Sequence, residues 1–144
     1  MVTGFTTGCF DLFHVGHLVY LQRCRALCDR LIVGVDSDKM VRKAKGPQRP
    51  IVPEIERFDL INNLSVVHSA FIMRDLSEVP NMVRKYEVTK VFKHQSFWGI
   101  KHVVGVEGTG AELVIIPDIP GMVSTSELIK RVLNRYRSPS ANVR

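Results

Sequence analysis

Short unbroken apolar runs alternate along this chain with longer stretches in which apolar residues recur every three or four positions. Met1–Thr7 is short, β-branched and aromatic, and stops at Gly8, while Leu31-Ile32-Val33-Gly34-Val35 runs without a polar residue into the turn formers Asp36, Ser37 and Asp38. Runs of this length are too short for helices. A run that is apolar at every position suits a strand covered on both faces. Ala70–Met73, Val88–Lys93 and Glu112–Ile116, the last closed by Pro117, complete a set of five predicted strands. Between them, Leu18, Leu21, Cys24 and Cys28 mark a helix over His17–Asp29 with one buried stripe. Pro53 opens a second helix through about Leu64, with Ile55, Phe58 and Ile61 or Asn62 on its faces. Ser77 is placed to cap a third through Tyr86. Ser124 starts a last one, with Leu128, Ile129, Val132, Leu133 and Tyr136 on a helical period. Strands alternating with helices predict one α/β domain over residues 1–137, a five-stranded parallel sheet with helices on both faces, followed by a polar, frayed tail over 138–144.

Ligands of such sheets bind beyond the C-terminal ends of the strands. That directs attention to Gly8–His17, Asp36–Pro50, Lys93–Ile100 and Pro117–Thr125. The charge distribution sharpens the picture. The 144 residues carry a net charge of +6, and half of the 20 Lys and Arg fall in Lys39–Pro50 and Ile129–Arg144, neither of which holds an acid. The remainder is net negative. A surplus this localised points to a small anionic ligand rather than to a nucleic-acid footprint spread over a surface. No apolar run approaches the ~20 residues of a membrane span. The first ten residues show no signal-peptide pattern, and three cysteines do not make a disulfide framework, so a reducing cytoplasm is the expected setting.

The first strand–helix junction reads Gly8-Cys9-Phe10-Asp11-Leu12-Phe13-His14-Val15-Gly16-His17. His14 and His17, three apart at a helix start, can point into one space. Gly16 lets an anion approach the backbone, and the helix N-terminus adds its positive end. On the residues alone, two structural histidines or a metal pair with Cys9 stay open, although zinc wants three or four ligands and no further Cys or His cluster is near in sequence. Ser124-Thr125-Ser126-Glu127 has the form of a capping box, with Glu127 returning to the Ser124 backbone. Cys24 and Cys28, one turn apart on the apolar side, read as core.

GCFDLFHVGH together with DRLIVGVDSD and the late VSTSELIKR resembles the cytidylyltransferase-like nucleotidyltransferases over about residues 1–136, and most of all the short glycerol-3-phosphate cytidylyltransferase type. The resemblance implies a Rossmann-like fold and transfer of a nucleotidyl group from a nucleoside triphosphate to a small phosphomonoester or phosphonate. Pyrophosphate would be released, Mg²⁺ would escort the triphosphate, no metal would be bound by the protein itself, and the chain would form a homodimer in the cytoplasm. It assigns His14, His17 and Lys45 to catalysis, and Gly8, Cys9, Phe10, Gly16, Thr125 and Ser126 to the nucleotide. Asp11, Lys43, Arg57, Lys93 and Trp98 fall to the substrate phosphates and acceptor, with Asp11 holding loop geometry, since a carboxylate beside phosphates repels them. Lys39–Pro50 matches a lysine-bearing loop that closes over the phosphates. CTP is the expected donor; the alternatives are adenylyl transfer from ATP to a sugar phosphate or similar acceptor, and a non-catalytic nucleotide-binding module. Cytidylyltransferases of this look carry Arg-Thr-Glu-Gly before the Ser-Thr pair, whereas this chain has Ile119-Pro120-Gly121-Met122, and relatives that use ATP on a sugar phosphate also lack that arginine. Lys93-His94, where the cytidylyltransferases tend to be acidic, suggests an acceptor with anionic character beyond its one phosphate.

Overall fold

The computed structural model describes residues 1–97 and 106–137. The tail over 138–144 and Trp98 therefore lie outside the described residues. Strands β1 (Thr3–Gly8), β2 (Arg30–Asp36), β3 (Ser69–Met73), β4 (Lys90–His94) and β5 (Glu112–Ile116) form one sheet in the order β3-β2-β1-β4-β5, with every pairing parallel. Strand order reverses between β1 and β4, so a crevice opens there at the C-terminal edge. Alternation along β2 shows how both faces are covered. Leu31, Val33 and Val35 pack with Leu21 and Cys24 of α1 (Val15–Ala26) and Ile61 of α3 (Glu54–Asn62). Ile32 faces the other way, into a cluster with Phe5, Val91 and the α4 (Val79–Lys85) residues Val79 and Val83. Cys24 and Cys28 are both core, as free thiols.

Two local expectations need correction, the loop after β2 and the cap before α4, and two helices meet their surroundings in ways their periodicity does not announce. The basic stretch after β2 is not a loop in its first half: α2 (Asp38–Lys45) is helical, capped by Ser37, whose Oγ accepts from the Met40 N–H at 3.3 Å, and anchored by buried Val41. Its cations crowd the last turn, where the helix dipole favours them, and residues 46–50 leave the helix as Gly46, Pro47 and Pro50 demand. On α3, Ile55 is 61% exposed while Arg57 is buried. Before α4, Asp75 rather than Ser77 supplies the cap, its side chain accepting from the Ser77 N–H at 2.8 Å in a short 3₁₀ turn, Leu76–Glu78. Helix α5 (Thr125–Tyr136) begins at Ser124 as expected, but its apolar stripe is not core: Val132 is 54% and Tyr136 60% exposed.

Gly4 in β1 marks the tightest packing in the sheet. A Cβ there would sit inside contact distance of the Phe92 ring and 2.9 Å from the Cys28 sulfur. Gly4→Ala is therefore expected to destabilise the fold by about 1–3 kcal/mol, the usual cost of overpacking a close-packed interior. Urea denaturation checks this, and an unchanged midpoint would show that Phe92 yields freely.

Candidate active site

A cleft of about 1060 Å³ opens over the strand-order reversal, lined by the β1–α1 loop, the ends of β2 and β4, Lys45, and residues 117–126. Two of its backbone positions are unusual. Phe10 and Leu12 adopt φ of 53° and 50°, left-handed conformations that non-glycine residues hold only when the surroundings dictate them. The surroundings are specific. Asp11, 1% exposed, accepts three hydrogen bonds: Oδ2 from Arg49 Nε at 2.8 Å and from the Ile51 N–H at 2.9 Å, and Oδ1 from the Val52 N–H at 2.9 Å. Burial alone would raise the Asp11 pKa, but these bonds and the Arg49 charge outweigh it and hold the carboxyl below its usual range. The Asp11 carbonyl in turn accepts from Thr125 Oγ1 at 3.0 Å. The loop is thus tied to the segment after α2 on one side and to the start of α5 on the other.

Arg57 completes the frame from below. Nε donates to the Val52 carbonyl at 2.8 Å, Nη1 to the Cys9 carbonyl at 2.6 Å and the Asp36 carbonyl at 2.7 Å, and Nη2 to Asp38 Oδ1 at 2.8 Å. The side chain is sealed from solvent and does not line the cleft. The role implied by resemblance, a phosphate contact, is corrected: its donors are spent on four backbone and side-chain oxygens. Lys43 is likewise exposed on α2 away from the cleft wall, whereas Lys45 lines it and lies within electrostatic reach of His17 and Asp36.

His14 is the N-cap of α1. Its Nδ1 accepts from the Gly16 N–H at 3.0 Å, and His17 Nδ1 accepts from the His14 N–H at 3.3 Å. The rings stack with centroids 3.8 Å apart, and His17 is packed against Phe10 and Phe13. Because both Nδ1 atoms accept from backbone N–H groups, each neutral ring carries its proton on Nε2, as a donor. Burial, and then the His14 ring beside it, lower the His17 pKa to about 4, and burial lowers that of His14. Two neutral imidazole donors in a cleft can hold phosphate oxygens without a protonation step. A Cβ on Gly16 would come within 2.9 Å of His14 Nδ1 and 3.1 Å of the Val123 carbonyl, so glycine is what lets the cap, the helix and the 117–123 wall meet. The reciprocal cap expected at α5 sits here instead. At α5, Ser124 Oγ accepts from the Glu127 N–H at 3.1 Å, while Glu127 turns to Arg131.

Gly8, Cys9, Phe10, Gly16, Thr125 and Ser126 all line the cleft. The Thr125 hydroxyl proton is committed to Asp11, which leaves Ser126 and the first backbone N–H groups of α5 as the donors at that end. Burial holds the Cys9 thiol above its ordinary pKa, which disfavours the thiolate. Lys93 and His94 are not an unbalanced basic pair, because Asp36 lies within electrostatic reach of Lys93 and Asp118 Oδ1 lies 2.7 Å from His94 Nε2. The expectation of an extra acceptor anion loses its basis. Among the described residues no three His, Cys, Asp or Glu side chains are grouped to hold a metal ion. No helix among them is long and apolar enough to cross a membrane. Sequence reasoning missed Arg49 as an anchor and Asp36 as a cleft residue. An acid closing a buried strand at its ligand-binding end was the available signal.

A parallel sheet with a dinucleotide-type crevice and a stacked histidine pair at the first helix start defines a nucleotide-binding α/β class. Comparison with known proteins narrows it: residues 5–131 match the cytidylyltransferase-like family model, and the chain belongs to that family of nucleotidyltransferases. It is 38% identical over 131 residues to the bifunctional protein HldE of Hyphomonas neptunium, covering 89% of this chain and 26% of that one. It is 36% identical over 135 residues to HldE of Citrifermentans bemidjiense, covering 92% and 27%. The chain thus spans about a quarter of the length of these curated relatives. Among solved structures, a lipopolysaccharide core biosynthesis protein from Thermoplasma volcanium superposes with a TM-score of 0.64 at 26% identity, over 83% of this chain and 97% of that one.

Two predictions follow from the frame and the histidine pair. Arg57→Met removes the shared donor from four oxygens and leaves Asp38 unpaired. Asp38 keeps access to water, so the cost is that of carbonyl acceptors left without a donor, about 1–3 kcal/mol each, measured by urea denaturation, with hydrogen exchange rising first in residues 46–52. An unchanged midpoint would mean that Asp11 alone holds the frame. The second concerns pH. His17 is held at about pKa 4 in the fold against 6.5 in the open chain. Between those values the unfolded chain binds a proton that the native state refuses. The stability from neutral His17 is full above about pH 6.5 and is lost as pH falls toward 4. The urea midpoint is expected to drop from pH 7 to pH 5, with a shallower drop in His17→Gln. Parallel slopes would assign the change elsewhere.

Proposed function

We propose that this chain transfers an adenylyl group from ATP to a small phosphomonoester, with a sugar phosphate as the acceptor class, releasing pyrophosphate. The stacked His14–His17 pair carries this reading. Its two Nε2 donors, the open end of α5 and Lys45 converge on one cleft, a set suited to positioning a triphosphate and offsetting the charge that develops on the transferred and leaving phosphates. Lys45, on the last turn of α2, is the cation best placed to follow that charge. Mg²⁺ enters as part of the triphosphate substrate, in keeping with a preference for phosphate oxygens and water over an all-protein cage. A homodimer remains part of the proposal.

ATP replaces CTP as the favoured donor for two reasons. The wall of the cleft beside α5 presents Ile119, Pro120, Gly121 and Met122, which offer apolar surface and backbone groups but no side-chain donor for the edge of a small pyrimidine. A site rejects an analogue strongly only where its polar groups would be left unpaired, and a larger purine buries more of an apolar wall. The relatives found at 36–38% identity are also HldE proteins rather than cytidylyltransferases by name.

Nucleotide titration is expected to give ATP at least about tenfold tighter binding than CTP, about 1.4 kcal/mol. CTP binding tighter than ATP would return the donor to cytidine. In pyrophosphate-release assays with phosphorylated metabolites, His14→Ala and His17→Ala are each expected to lose about 100-fold or more in turnover, the effect of removing a preorganised donor. His14→Ala also forfeits the N-cap, worth about 1 kcal/mol, and His17→Ala the bond that returns to the His14 N–H, so the melting temperature of each is read alongside. Near-normal turnover in both folded variants would overturn the mechanism.

A further inference from the structure

On the face of the sheet opposite α1, the cleft has a second polar group that the phosphate chemistry does not use. Strand pairing sets Phe5 beside Ile32 and Val91, and Thr7 beside Gly34. Side chains two residues apart share a face, so Thr7, Asp36 and Lys93 all project from this one, above the apolar layer that packs on α4. All three line the cleft. Lys93 Nζ donates to Thr7 Oγ1 at 3.1 Å, and its charge lies within reach of Asp36.

Asp36 differs from the other acids of the cleft. Both oxygens of Asp11 are engaged by the 49–52 segment, and Asp118 holds His94. Asp36 Oδ1, by contrast, is buried and accepts no hydrogen bond. A sealed acceptor left without a donor is unfavourable, and the terminal torsion of an aspartate is broad and two-fold, so either oxygen can turn toward a ligand in the cleft. Three kinds of ligand group could meet it. A second phosphate is repelled by the carboxylate. A quaternary ammonium is attracted by Asp36 but repelled by Lys93 and has no N–H to donate. A hydroxyl donates to Asp36 and leaves the Asp36–Lys93 charges balanced.

The group spans the C-terminal ends of β2, β1 and β4, three neighbours in the sheet. Lys45, within electrostatic reach of both His17 and Asp36, links it to the phosphate position. We propose that Asp36, oriented beside Lys93 and Thr7, is a specificity-determining residue that accepts a hydrogen bond from a hydroxyl of the acceptor. This rests on the transfer reading above and deepens its acceptor half.

The test is calorimetric titration of the full chain, saturated with AMP-PNP and Mg²⁺, with four probes: α-D-glucose 1-phosphate, D-ribose 5-phosphate, n-hexyl phosphate and phosphocholine. At least one sugar phosphate is expected to bind about tenfold or more tightly than the two probes without hydroxyls, the scale of one hydrogen bond to a charged group. Asp36→Ala is expected to erase that preference, and Asp36→Asn, which keeps one acceptor oxygen but no charge, to reduce it by about threefold or more. AMP-PNP affinity, read in each variant, reports that the fold and nucleotide half are intact. If Asp36→Ala fails that control, Asp36→Asn decides. Equal binding of hexyl phosphate, no binding of either sugar phosphate, or a preference unchanged in the folded variants would overturn the proposal. Pyrophosphate release is measured separately with ATP. Its absence despite a hydroxyl preference lost on substitution would overturn the transfer reading and leave the assignment of Asp36 standing.

Discussion

The cleft depends on one guanidinium. Arg57 comes from α3, a helix that forms none of the cleft surface, yet four of its hydrogen bonds hold the carbonyls of Cys9, Asp36 and Val52 and the carboxylate of Asp38 together beneath the site. Those oxygens belong to the loop after β1, the end of β2, the segment before α3 and the start of α2. A planar fork that stays charged can serve them all at once, and no other side chain offers that geometry. Asp11 makes the matching connection from above, joining the same loop to residues 49–52. The left-handed backbone at Phe10 and Leu12, and hence the position of His14, follows from these two clamps. The polar groups that organise the site are those withheld from ligand.

Much of the frame was legible along the chain, and the misses share a cause. Unbroken apolar runs located the five strands to within a few residues because a strand buried on both faces has no polar alternative. Helix α2 escaped because its cations read as mutual repulsion, whereas Ser37 at one end and a macrodipole at the other make that charge order favourable. Arg57 was assigned by resemblance to the substrate phosphates. Only three-dimensional placement shows four oxygens converging on it. The histidines were found by spacing, but their role as caps was not, since histidine is a rare N-cap and nothing local announces that Nδ1 faces the backbone. The stripe on α5 followed a helical period correctly and still did not enter the core. Periodicity tells which residues share a face, not what that face meets.

The histidine pair also shows how local structure and chemistry share atoms. The lone pairs that satisfy the orphan N–H groups at the start of α1 are the ones a proton would need. The rings therefore stay neutral for a structural reason as much as an electrostatic one, and burial against Phe10 and Phe13 acts in the same direction.

The strand order carries a genetic consequence. With β1 central, one flank of the cleft includes Asp36, Lys45 and Arg49, encoded before residue 50, and the other residues 117–126, encoded after β5. The two flanks meet across the β1–α1 loop, where Thr125 Oγ1 donates to the Asp11 carbonyl. A recombination point between β4 and β5 would exchange one flank whole and leave Arg57, the Asp11 carboxylate and the histidine pair with their original partners, while the Thr125 bond to the Asp11 carbonyl would have to be re-made. A gene built this way can change one wall of the cleft by cassette, without redesigning the other.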